Sequence, residues 1–221
     1  MADKEILIFV EGPSDKVFLE AYLYFLEDIP IKNFKVKDVT GKDNLSKRLL
    51  EIEKYDKTLI IFDADKDYES NKKEILSKTQ QKITEEQIFL FPNNQDDGDL
   101  ETLLLEIAKH DEFLKCFEGY LEYIKSKEHY KPIRNIRKNM LYAYLEVFEL
   151  QKFFQYKWDT NNKKNEENII IDDKGKIKEE HQEEYEKLKE VIDFKSKSLI
   201  PLKNFLEKST ENKQKTKLKI F

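Results

Sequence analysis

The 221-residue chain is 39% hydrophobic and 38% charged, with a formal net charge of −5, which allows one sizeable core, or a core with a smaller appendage. An acidic balance does not announce nucleic-acid binding, which usually shows as a basic surplus, yet a local basic stripe or bound metal ions can supply the same field. The single Cys116 excludes an internal disulfide and a cysteine zinc site, and His110, His129 and His181 stand without ligand spacing. No secretory leader opens the sequence, and no apolar run nears the ~18 residues of a membrane span, so a reducing cytoplasm and no membrane are expected.

In chain order, Glu5 to Val10 reads as a strand and Ser14 to Leu26 as a helix, with Val17, Phe18, Ala21, Tyr22 and Phe25 on its apolar face. Phe34 to Val39 alternates as a strand, and "DNLSKRLLEIE" reads as a helix opened by Asp43 or Asn44. Thr58 to Phe62 is a short, continuously apolar strand, followed by helical "SNKKEILSKT" and a strand from Gln87 to Phe91. Asp99 to Ala108 closes the series as a helix with Leu100, Leu103, Leu104 and Ile107 inward. Strands alternating with helices predict an α/β fold over residues 1–110, a mostly parallel four-stranded sheet buried by helices on both faces. Ligands in such sheets sit beyond the carboxyl ends of the strands, near a switch in strand order.

From Asp111 the pattern becomes helical and aromatic, in "FLKCFEGYLEYI" and "IRKNMLYAYLEVFELQKFFQYKW". A polar loop at 159–168 follows, then a hairpin turning on Asp173–Lys174–Gly175, two helical segments and a lysine-rich tail. Residues 111–221 are thus expected to form a mainly helical extension packed on the sheet, with a homodimer interface as the alternative use of its aromatic helices. The lysines from Lys203 onward are either phosphate contacts or a solvated end.

The chemistry gathers at two strand ends. "EILIFVEGPSDK" brings Glu11 out of the first strand into a turn, and "TLIIFDADKD" places Asp63 and Asp65 directly after the buried third strand. Three carboxylates at one sheet edge repel strongly unless a divalent cation neutralises them, and magnesium suits such hard oxygen ligands. "TGKDNL" puts Lys42 at a helix start, either as a phosphate contact or as part of an ordinary capping turn.

"FVEGPSDKVFL" followed by "IIFDADKD" resembles the two motifs of the Toprim domain, found in topoisomerases, bacterial primases, RecR-like repair proteins and the overcoming-lysogenization-defect nucleases. The resemblance covers the first half of the chain. It implies a Rossmann-like Toprim fold, Glu11 as general acid/base or metal ligand, and Asp63 and Asp65 as ligands of Mg2+ or Mn2+. Asp15 and Asp67 are secondary matches. "GDLETLLLEIA" resembles a helix start in small stand-alone members of this group, making Glu101 a candidate ligand for a second ion and Asp99 a helper or N-cap. The implied activity is a metal-dependent nuclease acting on DNA or RNA, working alone or with a separate ATPase or other protein partner. A non-catalytic Toprim module that binds nucleic acid or a partner is the alternative from a different class.

Two further readings compete for the same residues. Asp63, Asp65, Asp67, Glu69, Asn71 and Glu74 fall on ligand positions of a calcium-binding EF-hand loop, but Tyr68 stands where that loop needs glycine and a strand precedes it. The Gly41–Lys42 pair is not a phosphate-binding P-loop, because Val36 and Asp43 replace its glycine and hydroxyl residue. Asp96 and Asp97 read as a solvated loop.

Overall fold

A computed structural model gives the fold, and the structure describes residues 6–25, 34–131, 133–155 and 178–210. Four strands form one sheet: β1 (Ile6–Val10), β2 (Phe34–Asp38), β3 (Lys57–Asp63) and β4 (Ile88–Phe91). All neighbours are parallel, in the order β2-β1-β3-β4, with Val10 opposite Ile61 and Asp63 opposite Phe91. The strands read as continuous apolar runs because both faces are covered. Ile8, Val10, Leu59, Ile61, Phe89 and Phe91 point into one core, and Leu7, Phe9, Ile60, Phe62, Ile88 and Leu90 into the other. This is the expected α/β architecture: a four-stranded parallel, Rossmann-like sheet with a helical C-terminal part.

Helix α1 (Pro13–Phe25) buries Val17, Phe18, Ala21 and Tyr22 on the first face, as its periodicity predicts. The side chain expected at Phe25 and the end of this helix at Leu26 lie outside the described residues. The second face is covered by a turn of 3-10 helix at Lys42–Arg48 running into α2 (Leu49–Ile52), and by α3 (Tyr68–Lys78). The α-helix expected from Asp43 is therefore mostly 3-10. Neither proposed cap acts: Asp43 pairs with Lys78 at 2.7 Å, and the Asn44 amide donates back to the Thr40 carbonyl at 2.8 Å. Such local bonds compete with a regular helix start.

After β4 come α4 (Leu100–Glu106), α5 (Asp111–Lys125), α6 (Ile136–Val147), α7 (Glu179–Val191) and α8 (Ile200–Thr210). Their buried residues do not form a separate core. Leu141, Tyr144, Leu145, Leu188, Leu202 and Leu206 join the same cluster as Val10, Phe18 and Leu104. The Phe205 ring lies 5.5 Å from Phe89 of β4, and the Tyr144 hydroxyl donates to the Val191 carbonyl at 2.8 Å. The loop, hairpin and tail expected at 159–168, 169–178 and beyond Thr210 fall almost wholly outside the described residues. Among those described, no helix is long and apolar enough to cross a membrane.

A shared core makes a test. Leu206 is fully buried, so Leu206→Ala is expected to cost about 2–5 kcal/mol. Urea unfolding followed by circular dichroism and by tyrosine fluorescence should shift as one coincident transition. Loss of α8 in a separate, earlier step would show that the extension folds independently of the sheet.

Candidate functional site

The chain passes from β1 to β2 on one side and returns as β3 on the other, so the switch in strand order lies between β1 and β3. A crevice opens at such a point, beyond the carboxyl ends. Glu11 follows β1, and Asp63 is the last residue of β3. Asp15 stands in the first turn of α1 and Glu101 in the first turn of α4. These four carboxylates lie within electrostatic reach of one another.

Backbone amides hold two of them. Asp15 accepts the Gly12 N–H at 2.7 Å, and Asp63 accepts the Leu100 N–H at 2.9 Å. Only 8% of Asp15 is exposed, and burial pushes its carboxyl up to about 7 against the Gly12 amide, with the charges of Glu101 and Glu11 adding. Burial pushes Asp63 higher, to about 9, reinforced by Asp15 and Glu11 and opposed by the Leu100 amide. Glu11 is also raised by burial, with the Lys42 ammonium working against it and Asp65 adding. Its Oε2 atom is buried without a hydrogen bond. A carboxylate in low dielectric beside like charges is costly to ionise, which is why all three shifts run upward.

Asp65 is placed differently. Its backbone is left-handed (φ 53°), and its amide donates to the Gly98 carbonyl at 2.7 Å. Gly98 itself has φ 148°, and an added Cβ would lie 3.0 Å from Pro92 Cδ and 3.1 Å from Thr102 Oγ1, so only glycine fits this crossing. The exposed Asp65 carboxylate pairs with Lys42, whose ammonium also lies 3.8 Å from Glu11 Oε2 and donates to Asn71 Oδ1 at 2.8 Å. Lys42 is thus no mere turn residue: its side chain, 12% exposed, joins Glu11 to Asp65.

Other expected residues serve the frame. Asp67 caps α3 by accepting the Ser70 N–H at 2.9 Å and does not join the cluster, because the first turn of the helix claims its carboxylate. Asp97, expected to be merely solvated, accepts the Tyr68 N–H at 2.8 Å. Asp99 is the N-cap of α4, in a reciprocal capping box with Thr102. Residues 63–74 form a strand end, a turn and a helix rather than a twelve-residue calcium loop, and Glu74 pairs with Lys78.

Two neighbours, Arg137 and Lys138, carry no site motif in the sequence, and Asn71 figured there only as a calcium-loop position. Asn71 orients Lys42, while Arg137 of α6 grips Asp99 through Nε at 3.0 and 3.1 Å and Nη2 at 2.7 Å. Lys138 lowers the proton affinity of Asp15 from a distance. The signal for Arg137 and Lys138 is "IRNIRK", cations crowded at a helix start where the macrodipole disfavours them.

Among the described residues, no three Asp, Glu, His or Cys side chains are grouped to hold one metal ion. The donor chemistry nevertheless suits a hard divalent cation: every candidate is a carboxylate, they repel one another, and Glu11 Oε2 is buried without a hydrogen-bond donor. Fold and site together define an α/β protein with a parallel sheet and a cluster of carboxylates at its switch point. The chain belongs to the family described as "Protein of unknown function (DUF3226)", whose model matches residues 5–211. No curated protein and no solved structure matches the chain.

Asp63 and Asp15 bind protons more tightly in the folded chain than at their ordinary value of 3.8. Unfolding therefore releases protons, and stability falls as pH rises from about 4 toward about 9. In chelator, the Tm should decline across that window. Asp63→Asn keeps an acceptor for the Leu100 amide, so it should flatten the decline and raise Tm at about pH 8, by about 2–4 °C for each kcal/mol relieved. A Tm profile identical to the parent chain would show that these charges do not strain the fold.

Proposed function

We propose that this chain is a magnesium- or manganese-dependent phosphodiesterase acting on nucleic acid, a Toprim-like nuclease. The observation that carries the reading is the gathering of Glu11, Asp15, Asp63 and Glu101 at the sheet's switch point, where burial and neighbouring carboxylates raise the proton affinities of Glu11, Asp15 and Asp63. Structural ion networks seldom bury several like charges together, whereas sites that handle protons or cations do. The motif resemblance in "FVEGPSDK" and "IIFDADKD" points the same way.

Asp63, Asp65, Asp15, Glu101 and Glu11 would hold one or two such ions, with Asp67, whose Oδ1 caps α3, a secondary candidate. A divalent ion there supplies charge stabilisation at phosphate oxygens and a more acidic bound water. Glu11 is suited to exchange a proton with the attacking water or the leaving oxygen, since its raised proton affinity brings it closer to neutral pH. Lys42, held by Asn71, presents a cation beside Glu11 and suits a phosphate oxygen. The Gly98 crossing fixes the backbone that carries Asp65.

A second reading has its own support. Lys42 already neutralises part of Glu11 and Asp65 from within, as a module would that binds nucleic acid or a protein partner, such as a separate ATPase, without cutting. Labelled single- and double-stranded DNA and RNA, incubated with magnesium, manganese or chelator, separate the two. The nuclease reading expects metal-dependent cleavage, with Glu11→Gln and Asp63→Asn each lowering the rate by about 100-fold or more. Binding without cleavage, unaltered by Glu11→Gln, would favour the module.

A further inference from the structure

The nucleic-acid reading leaves a charge problem. The chain carries a formal net charge of −5, and its candidate centre is a cluster of carboxylates, which a polyanionic backbone approaches only if cations stand beside it. Lys42 begins the 3-10 turn that covers one face of the sheet, and α4, with α6 packed on it, covers the other.

The start of α6 reads Arg134, Asn135, Ile136, Arg137, Lys138: three cations and no acid within five residues. All three cations are exposed. Folding does not account for them. Cations in the first turn oppose the helix dipole, and Asn135 gives the helix no side-chain cap. Among the described residues, no carboxylate pairs with Arg134 or Lys138, and the Lys138 ammonium has only the Tyr142 ring, 5.9 Å away. Arg137 is held by Asp99, the residue that caps α4 one position before the Leu100 amide bound to Asp63. That grip uses Nε and Nη2 and leaves Nη1 for another acceptor. Arg137 and Lys138 are both felt by carboxylates of the cluster, Arg137 by Glu101 and Asp63, and Lys138 by Asp15.

We propose that Arg134, Arg137 and Lys138 form the surface that seats the sugar–phosphate backbone of a nucleic acid beside the acidic cluster; this rests on the nucleic-acid reading above. Arg137 is the fixed member, oriented by Asp99 as a fork suited to a phosphate. Arg134 and Lys138 add unpaired charge on either side of it. Their contacts are to phosphate and carry no sequence preference. The helical extension thereby contributes part of the binding surface.

The test uses the double variant Arg134→Gln, Lys138→Gln, which leaves the Arg137–Asp99 pair in place. Fluorescence anisotropy in chelator, with labelled DNA and RNA oligonucleotides over a range of salt, reads binding without turnover. The expected result is affinity lowered by roughly tenfold for every sequence tried, and a plot of log K against log salt flattened by about 1.4 to 1.8, two phosphate contacts' worth. Circular dichroism melts matching the parent chain exclude a folding defect. Unchanged affinity and slope, in a parent chain that binds or cuts, overturn this surface and leave the nuclease reading standing. A parent chain that neither binds nor cuts any of the oligonucleotides, with metal or without, overturns the nucleic-acid reading and this surface with it.

Discussion

Carboxylates of like charge crowd one end of a parallel sheet, and much of the surrounding structure manages their repulsion. The parallel arrangement creates the problem, because β1 and β3 both end at the same edge and each hands an acidic residue to it. Chain reversal at the switch point then adds the first turns of α1 and α4, with Asp15 and Glu101. Four of these charges meet a specific answer: the Gly12 amide for Asp15, the Leu100 amide for Asp63, and the Lys42 ammonium near Glu11 and on Asp65. The answers are partial, as the raised proton affinities of Asp15, Asp63 and Glu11 show. Partial compensation distinguishes this cluster from a structural ion-pair network, in which opposite charges are matched in place.

The helical extension belongs to the same machine. It shares the core beneath the sheet, with Phe205 against Phe89 and Leu141 and Leu145 among the residues of α1 and α4. It is also tied electrostatically to the site through Arg137 and Asp99. Because Asp99 caps α4 and α4 presents both the Leu100 amide and Glu101, the position of α6 and the geometry around Asp63 are linked through one short helix. The family match, which runs from residue 5 to residue 211, spans sheet and extension alike.

What was legible in the sequence follows from the range of the forces involved. Strand and helix order came through because apolar periodicity is a local signal, strong in "ILIFV", "TLIIF" and "IFLF". Glu11, Asp63 and Asp65 were legible because a carboxylate directly after a buried strand has few other places to go. Competition among polar side chains was harder to see. Asp43 looked like a cap until Lys78 drew it away, and one oxygen of Asp67, read as a secondary ligand, is engaged by the Ser70 amide of α3. Lys42 was ambiguous because its partners, Asp65 and Asn71, lie 23 and 29 residues further along the chain. Arg137 was invisible for the same reason, since its partner Asp99 lies 38 residues earlier on another helix.

The placement of Lys42 bears on how the proposed site would work. Its ammonium already occupies the position of favourable potential between Glu11 and Asp65, the place a divalent ion would also be drawn to. Two cations there repel each other strongly in a half-buried setting. On the proposed reading, an ion held by Glu11 and Asp65 would compete with the Lys42 ammonium for the same carboxylates. Lys42 also donates to the neutral Asn71 Oδ1, a partner that does not depend on the two carboxylates and that would keep the ammonium near the site. Lys42 thereby supplies Glu11 and Asp65 with a counter-charge from within the chain, which limits the repulsion among the carboxylates.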